Sequence, residues 1–240
     1  MSLTKSCIGK ALLAGLSMDV LSLIFVCIVI FYSIYSSYRK FITNKRSSFI
    51  RNYEFPNAIK TKVAQAYPHL KDRQLEQVIK GLRDYFDLVS LSHRKSISMP
   101  SQAVDVAWHE FILFTRQYDA FCKKSLGYFL HHTPAEAMKS KLHAQAGIKR
   151  AWRIACHREN INPLSPKRLP IIFALDSKLN IRDGFHYQLD CMSPASSKIS
   201  RGVTGENYCG THIGCSSGCA GSSGDGGCAG DSGGGGCGGD

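Results

Sequence analysis

Asp72 to Val89 reads DRQLEQVIKGLRDYFDLV. Leu75, Val78, Ile79, Leu82, Tyr85, Phe86 and Val89 recur at intervals of three and four, which is the spacing of one face of an α-helix. Polar residues fill the other face, so the segment is amphipathic and needs neighbours to cover its apolar stripe. Asp72 stands at its start as the expected cap.

Those neighbours lie on both sides. Upstream, Pro56 can open a helix that carries Ile59, Val63 and Tyr67 and stops at Pro68. Downstream, Pro100 and Ser101 start a third helix with Val104, Trp108, Phe111, Ile112, Thr115 and Tyr118 on one broad face, and Gly127 ends the pattern. Thr133-Pro134-Ala135-Glu136 then offers an N-cap, a proline at the first helical position and a glutamate that can reach back to the cap amide. The fourth helix runs on through Met138, Leu142, Trp152 and Ile154. After Pro163, Pro166 and Pro170, the run Ile171 to Leu179 is read as a short helix, with Asn180 in the left-handed position beyond it and Ile181 folding back onto Leu175. No alternation of strands and helices suggests a nucleotide-binding sheet. The expectation is a compact, mainly α domain over residues 56–200, long enough for a real hydrophobic core.

The ends of the chain differ from this middle. Leu16 to Tyr35 (LSMDVLSLIFVCIVIFYSIY) carries one charge, Asp19, and about twenty apolar residues are what a helix needs to cross the hydrocarbon layer. Tyr32, Tyr35 and Tyr38 follow at helical spacing, where headgroups would begin. Residues 1–38 are therefore read as a segment with a single transmembrane helix at about 16–35, uncleaved because the run is long and ends in bulky tyrosines. Lys5 and Lys10 precede the span, whereas Arg39, Lys40, Lys45, Arg46 and Arg51 follow it, which places the C-terminal bulk on the cytoplasmic side. Residues 39–55 read as a basic juxtamembrane linker suited to anionic lipid headgroups. Of the 240 residues, those from 39 to 202 hold 28 basic against 13 acidic side chains. These charges are scattered, with no zinc-finger, RNP or helix-turn-helix pattern, so the membrane rather than nucleic acid accounts for the formal net charge of +12.

From Gly202 onward, 16 of the 22 glycines and five of the 10 cysteines crowd together. Large apolar residues become scarce, so residues 201–240 are expected to be a disordered Gly/Ser/Cys-rich tail. Within it, Cys209, His212, Cys215 and Cys219 have a linear spacing that could hold Zn²⁺, Cu(I) or an iron–sulfur centre.

In the helical region the densest set of chemically capable residues is Asp105, His109, Cys122, His131 and His132, together with Trp108 and Glu110. Asp105 and His109 are four apart on one helix, so the carboxylate can orient the imidazole as a metal ligand or general base. A site of His109, Cys122 and one of the two later histidines is one possible ligand set. The competing reading is a structural Trp-His pair packed between helices, with Cys122 as a small buried hydrophobe. Leu113 replaces the second histidine of a zincin motif. Nucleophile-elbow and Walker A patterns are absent. Cys156-His157 are sequence neighbours late in a helix, where the dipole disfavours a thiolate.

Asp105-x-x-Trp108-His109-Glu110-Phe111-Ile112-Leu113, then Tyr118, Cys122, Phe129-Leu130-His131-His132 and Pro134, resembles the core of the glycine-rich domain-containing protein-like family, found in plants and as small bacterial membrane proteins. The likeness covers about Met99 to Met138, and in the bacterial forms extends through Leu169-Pro170 to Phe185 and a Gly/Cys tail. It implies the domain and the tail but no reaction. Plant relatives show Trp-His-x-His, and Phe111 stands in place of that second histidine. The function expected from all this is a non-enzymatic, membrane-tethered helical interaction module whose tail binds metal or a protein partner. Two alternatives remain: a metal- or histidine-dependent enzyme built around His109, His131 and His132, and a structural or secretion-related membrane component with the tail as a recognition tag.

Overall fold

The computed structural model describes residues 4–132, 141–189, 207–209 and 213. Among them it is mainly helical: α1 Thr4–Arg51, α2 Asn57–Ala66, α3 Asp72–Leu91, α4 Gln102–Leu113, α5 Thr115–Ser125, α6 Lys141–Arg158 and α7 Ile171–Leu179, followed by the short strands β1 His186–Gln188 and β2 Asn207–Cys209.

The amphipathic helix that organises the sequence also organises the fold. α3 touches α1, α2, α4, α6 and α7, and its buried residues are those of the periodic stripe together with Gly81, Asp87 and Leu88. Gly81 is where packing is closest. A Cβ there would lie 2.8 Å from Val104 Cγ2 on α4 and 2.9 Å from Leu175 Cδ2 on α7, so only glycine lets both helices approach. The cap itself falls one residue earlier than expected. Lys71 is the N-cap, and its amide donates to Gln74 Oε1 at 2.9 Å. Asp72 occupies the first helical position, where its charge still meets the positive end of the helix dipole.

α4 begins as the sequence suggests, with Ser101 Oγ accepting from the Val104 amide. A second cap comes from far along the chain. The buried Asp176 on α7 accepts from Ser101 Oγ at 2.6 Å, Gln102 N at 2.7 Å, Ala103 N at 3.3 Å and Phe185 N at 2.9 Å. Burial pushes the Asp176 carboxyl up, and these four donors pull it back. Beyond Leu113 the single long helix expected through Tyr118 breaks in two. Phe114 takes φ −79° and ψ 55°, outside the helical region, and α5 starts afresh at Thr115. The break turns Tyr118, Phe121 and Cys122 back toward the core. Phe121 thereby reaches Phe86 and Tyr53, with centroids 4.7 and 4.6 Å away, while Phe111 meets Phe55 edge-on at 4.9 Å.

Residues 39–51, read above as part of a linker, continue α1 without interruption. Ile50 is fully buried, and Ser47 Oγ donates to the buried Asp87 on α3 at 2.5 Å. Arg158 on α6 closes this network through ion pairs to Asp84 and Asp87, each at 3.2 Å. One face of the segment is thus core while Arg39, Lys40 and Lys45 stay exposed, a pattern that an abundance of basic residues conceals. Farther back, the part of α1 within Ser22–Arg51 contains an 18-residue stretch of mean hydropathy 1.5, long and apolar enough to cross a membrane. Its large apolar side chains, from Leu23 to Phe31, are about half or more exposed.

α7 ends at Asn180, with φ 53° and ψ 45°, and the Ile181 amide returns to Asp176 O at 3.0 Å. The folded body extends past the expected boundary at residue 200. β2 pairs parallel with β1, His186 opposite Asn207 and Gln188 opposite Cys209, and Ile213 is fully buried. Tyr187 anchors this end by packing on Phe173 at 4.8 Å. The cap expected at Thr133–Glu136, and the tail ligands His212, Cys215 and Cys219, lie outside the described residues.

Candidate functional site

Asp105 and His109 project from adjacent turns of α4, and a return of the chain brings a third group to them. α5 ends at Leu126, and Gly127, at φ +80°, takes the left-handed conformation that reverses the chain. Residues 128–132 then run back toward α4. Two buried polar tips hold this return in place: Trp108 Nε1 donates to Tyr118 Oη at 3.1 Å, and Tyr118 Oη donates to Leu130 O at 2.6 Å. The Leu130 backbone also hydrogen-bonds the Cys122 thiol. Phe129 packs edge-on to Tyr118 at 5.3 Å.

His132 is placed by these contacts. Its ring meets the Trp108 indole at 4.6 Å and the His109 ring at 4.2 Å, both near-perpendicular. His109 Nε2 and His132 Nε2 stand 2.9 Å apart, with Asp105 Oδ2 at 3.6 Å from the first and Oδ1 at 3.5 Å from the second. Two imidazole nitrogens at 2.9 Å share one proton as donor and acceptor, or share a cation. The His109 side chain is 51% exposed, against 20% for Asp105 and 18% for His132, so the cluster opens to solvent on one side.

These separations match those of metal ligands. Two ligands of a tetrahedral Zn²⁺ at 2.0–2.1 Å stand about 3.3 Å apart, and adjacent ligands of an octahedral ion about 3.0 Å. The three ligand atoms lie close enough together to be shared by one ion.

The other expected members do not join. Cys122 is fully buried on the core side of α5, and burial raises its thiol pKa, so the His-Cys ligand set is not formed. His131 is exposed and packs at a tilt against Phe129, with ring centroids 4.8 Å apart. Phe111 is buried in the aromatic core. The second imidazole, that of His132, comes from the returning loop. Trp108 is packed in the core, and its indole supports the His132 ring that meets His109. Sequence reasoning treated Tyr118 only as an apolar-face residue, although a buried tyrosine hydroxyl and a buried indole N–H each demand a partner. Burial pushes the Tyr118 hydroxyl pKa far up, keeping it a donor. Cys156 is buried too, its thiol pushed up to about 12, which suits packing and not nucleophilic chemistry.

Neither the curated proteins nor the solved structures provide a match to this chain. A family model covers residues 45–213, from the buried end of α1 through the core helices and their His/His/Asp cluster to Ile213, and on that match the chain belongs to the UCP032817-like family.

Proposed function

We propose that this protein is a membrane-tethered helical domain that holds a divalent transition-metal ion through Asp105, His109 and His132. The observation that carries this reading is the convergence of His109 Nε2, His132 Nε2 and the Asp105 carboxylate at 2.9–3.6 Å on a solvent-open face. Two imidazoles and one carboxylate suit Zn²⁺ or Fe²⁺ better than Ca²⁺ or Mg²⁺, which prefer all-oxygen shells. Three protein ligands leave at least one position for water, substrate or a partner's side chain. The same arrangement therefore serves a hydrolytic or oxidative enzyme and a metal-dependent docking module. The likeness of Asp105 to Pro134 to the glycine-rich domain-containing protein-like family remains part of this proposal, as does metal or partner binding by Cys209, His212, Cys215 and Cys219. Anchoring rests on the exposed apolar length of α1, and the cytoplasmic placement of the domain on the basic residues that follow it.

The test uses the full chain in neutral detergent, with Cys209, Cys215, Cys219, Cys228 and Cys237 changed to serine so that tail thiols do not compete. Equilibrium dialysis against Zn²⁺ is expected to give one tightly bound ion per chain. His109→Ala, His132→Ala and Asp105→Ala should each reduce affinity at least tenfold. Binding unchanged in all three would refute the site.

A further inference from the structure

A second polar site lies where α1 leaves its apolar stretch and meets the C-terminal end of α3. There Tyr32, Tyr35, Arg39, Lys40, Asn44 and His93 line an open groove of about 430 Å³. The chain is bent to make it. His93 and Arg94 take consecutive positive φ values of 52° and 66°, a conformation non-glycine residues adopt at a cost and one that gathers at ligand-binding segments. The turn carries the His93 imidazole across to α1, where Arg39 Nη2 donates to His93 Nδ1 at 3.1 Å. Arg39 also lies 5.9 Å above the Tyr35 ring. No acidic residue lines the groove. Among the described residues neither Arg39 nor Lys40 pairs with a carboxylate. Two cations and an imidazole thus face a concave surface with no counter-charge.

We infer that this groove seats the phosphate of an anionic phospholipid in the leaflet adjoining the folded domain. The position along α1 selects the occupant. Phe31 ends the continuous apolar run, Tyr32 and Tyr35 sit at headgroup depth, and Arg39 follows about 12 Å of helix axis beyond Phe31, within snorkelling reach of the phosphate layer. The guanidinium supplies a planar donor pair for phosphate oxygens, Lys40 a point charge, and the tyrosine rings flank the glycerol region. Because residues 39–51 continue α1 as one helix whose Ser47 and Ile50 are buried in the core, a headgroup held here fixes the height and tilt of the whole domain on the bilayer. This inference rests on the membrane-tethered reading, and the experiment separates the two.

The full chain, expressed in cells, is first tested for alkaline-carbonate-resistant membrane association. It is then purified in neutral detergent, exchanged with equal phosphatidylglycerol and phosphatidylcholine, and weighed by native mass spectrometry. Phosphatidylglycerol is expected to be retained in preference to phosphatidylcholine by roughly 30-fold, the attraction of two basic residues. The exposed double substitution Arg39→Gln, Lys40→Gln should abolish the preference, and Lys123→Gln, Lys124→Gln, which removes equal charge on α5, should leave it intact. Chain extracted by carbonate overturns the anchor and the groove together. Carbonate-resistant chain that retains both lipids equally, or that loses selectivity in both double variants, overturns the groove alone. Displacement of phosphatidylglycerol by inorganic phosphate at equal concentration would assign the groove to a free anion and overturn the lipid assignment.

Discussion

Tyr118→Phe removes one oxygen and tests how the His/His/Asp cluster is held. In the wild type that oxygen accepts from the buried Trp108 indole at 3.1 Å and donates to Leu130 O at 2.6 Å. The phenylalanine ring fills the same space, so no cavity forms and the change is confined to hydrogen bonding. The indole N–H loses its acceptor in a buried place, at a cost of about 1–3 kcal/mol, and the half-buried Leu130 carbonyl loses a donor that water can replace. The total is about 2–3 kcal/mol, a large share of a stability of roughly 5–15 kcal/mol. For a domain of this size it corresponds to a fall in Tm of about 5–10 °C. The second effect is on the site. His132 lies just beyond Leu130, and loosening a group that orients a ligand reduces metal affinity by about 10- to 100-fold. Circular dichroism melting of the full chain in detergent reads the first effect, and Zn²⁺ dialysis the second. A Tm within 1–2 °C of wild type together with unchanged Zn²⁺ affinity would show that Tyr118 does not position the return loop.

Changes at three further positions probe the core. Gly81→Ala places a methyl against Val104 and Leu175, and is expected to cost about 1–3 kcal/mol of stability through overpacking, read as a lower Tm. Asp176→Ala leaves Ser101 Oγ and three backbone amides without their acceptor and should cost about 3 kcal/mol or more, whereas Asp176→Asn retains part of the cap; equal melting of the two variants would deny the capping role. Cys156, with its thiol raised from 9.0 to about 12, favours the folded state fully at neutral pH and loses that contribution as pH rises from the ordinary thiol range through about 12. It should accordingly resist iodoacetamide at pH 8 until the chain unfolds, and rapid labelling of native protein, located by peptide mass mapping, would contradict its burial.

Much of the helical framework was legible because it depends on spacing and local chemistry. The α3 stripe, the Ser101 cap and the left-handed Asn180 each follow from side chains a few residues apart. Where the expectations departed, a distant partner decided. Nothing local in the basic run 39–51 says that Ser47 and Ile50 will be core, because their partners, Asp87 and the α3 face, lie about forty residues onward. The break at Phe114 is equally silent in sequence, since it serves to turn Phe121 toward Phe86 and Tyr53.

The candidate site divides in the same way. Asp105 and His109 are placed together by helix geometry alone, so the sequence by itself determined two of the three members of the cluster, along with the mainly helical class and one apolar segment of membrane-spanning length. Whether Cys122, His131 or His132 would complete the cluster depended on which side of α5 faces the core and how far Gly127 turns the chain. Tertiary structure decided it, because burying Cys122 and satisfying the Trp108 and Tyr118 polar tips leaves His132 as the residue whose ring can reach His109. Periodicity fixes which residues share a face, but the cost of an unsatisfied buried group determines which distant segments must meet.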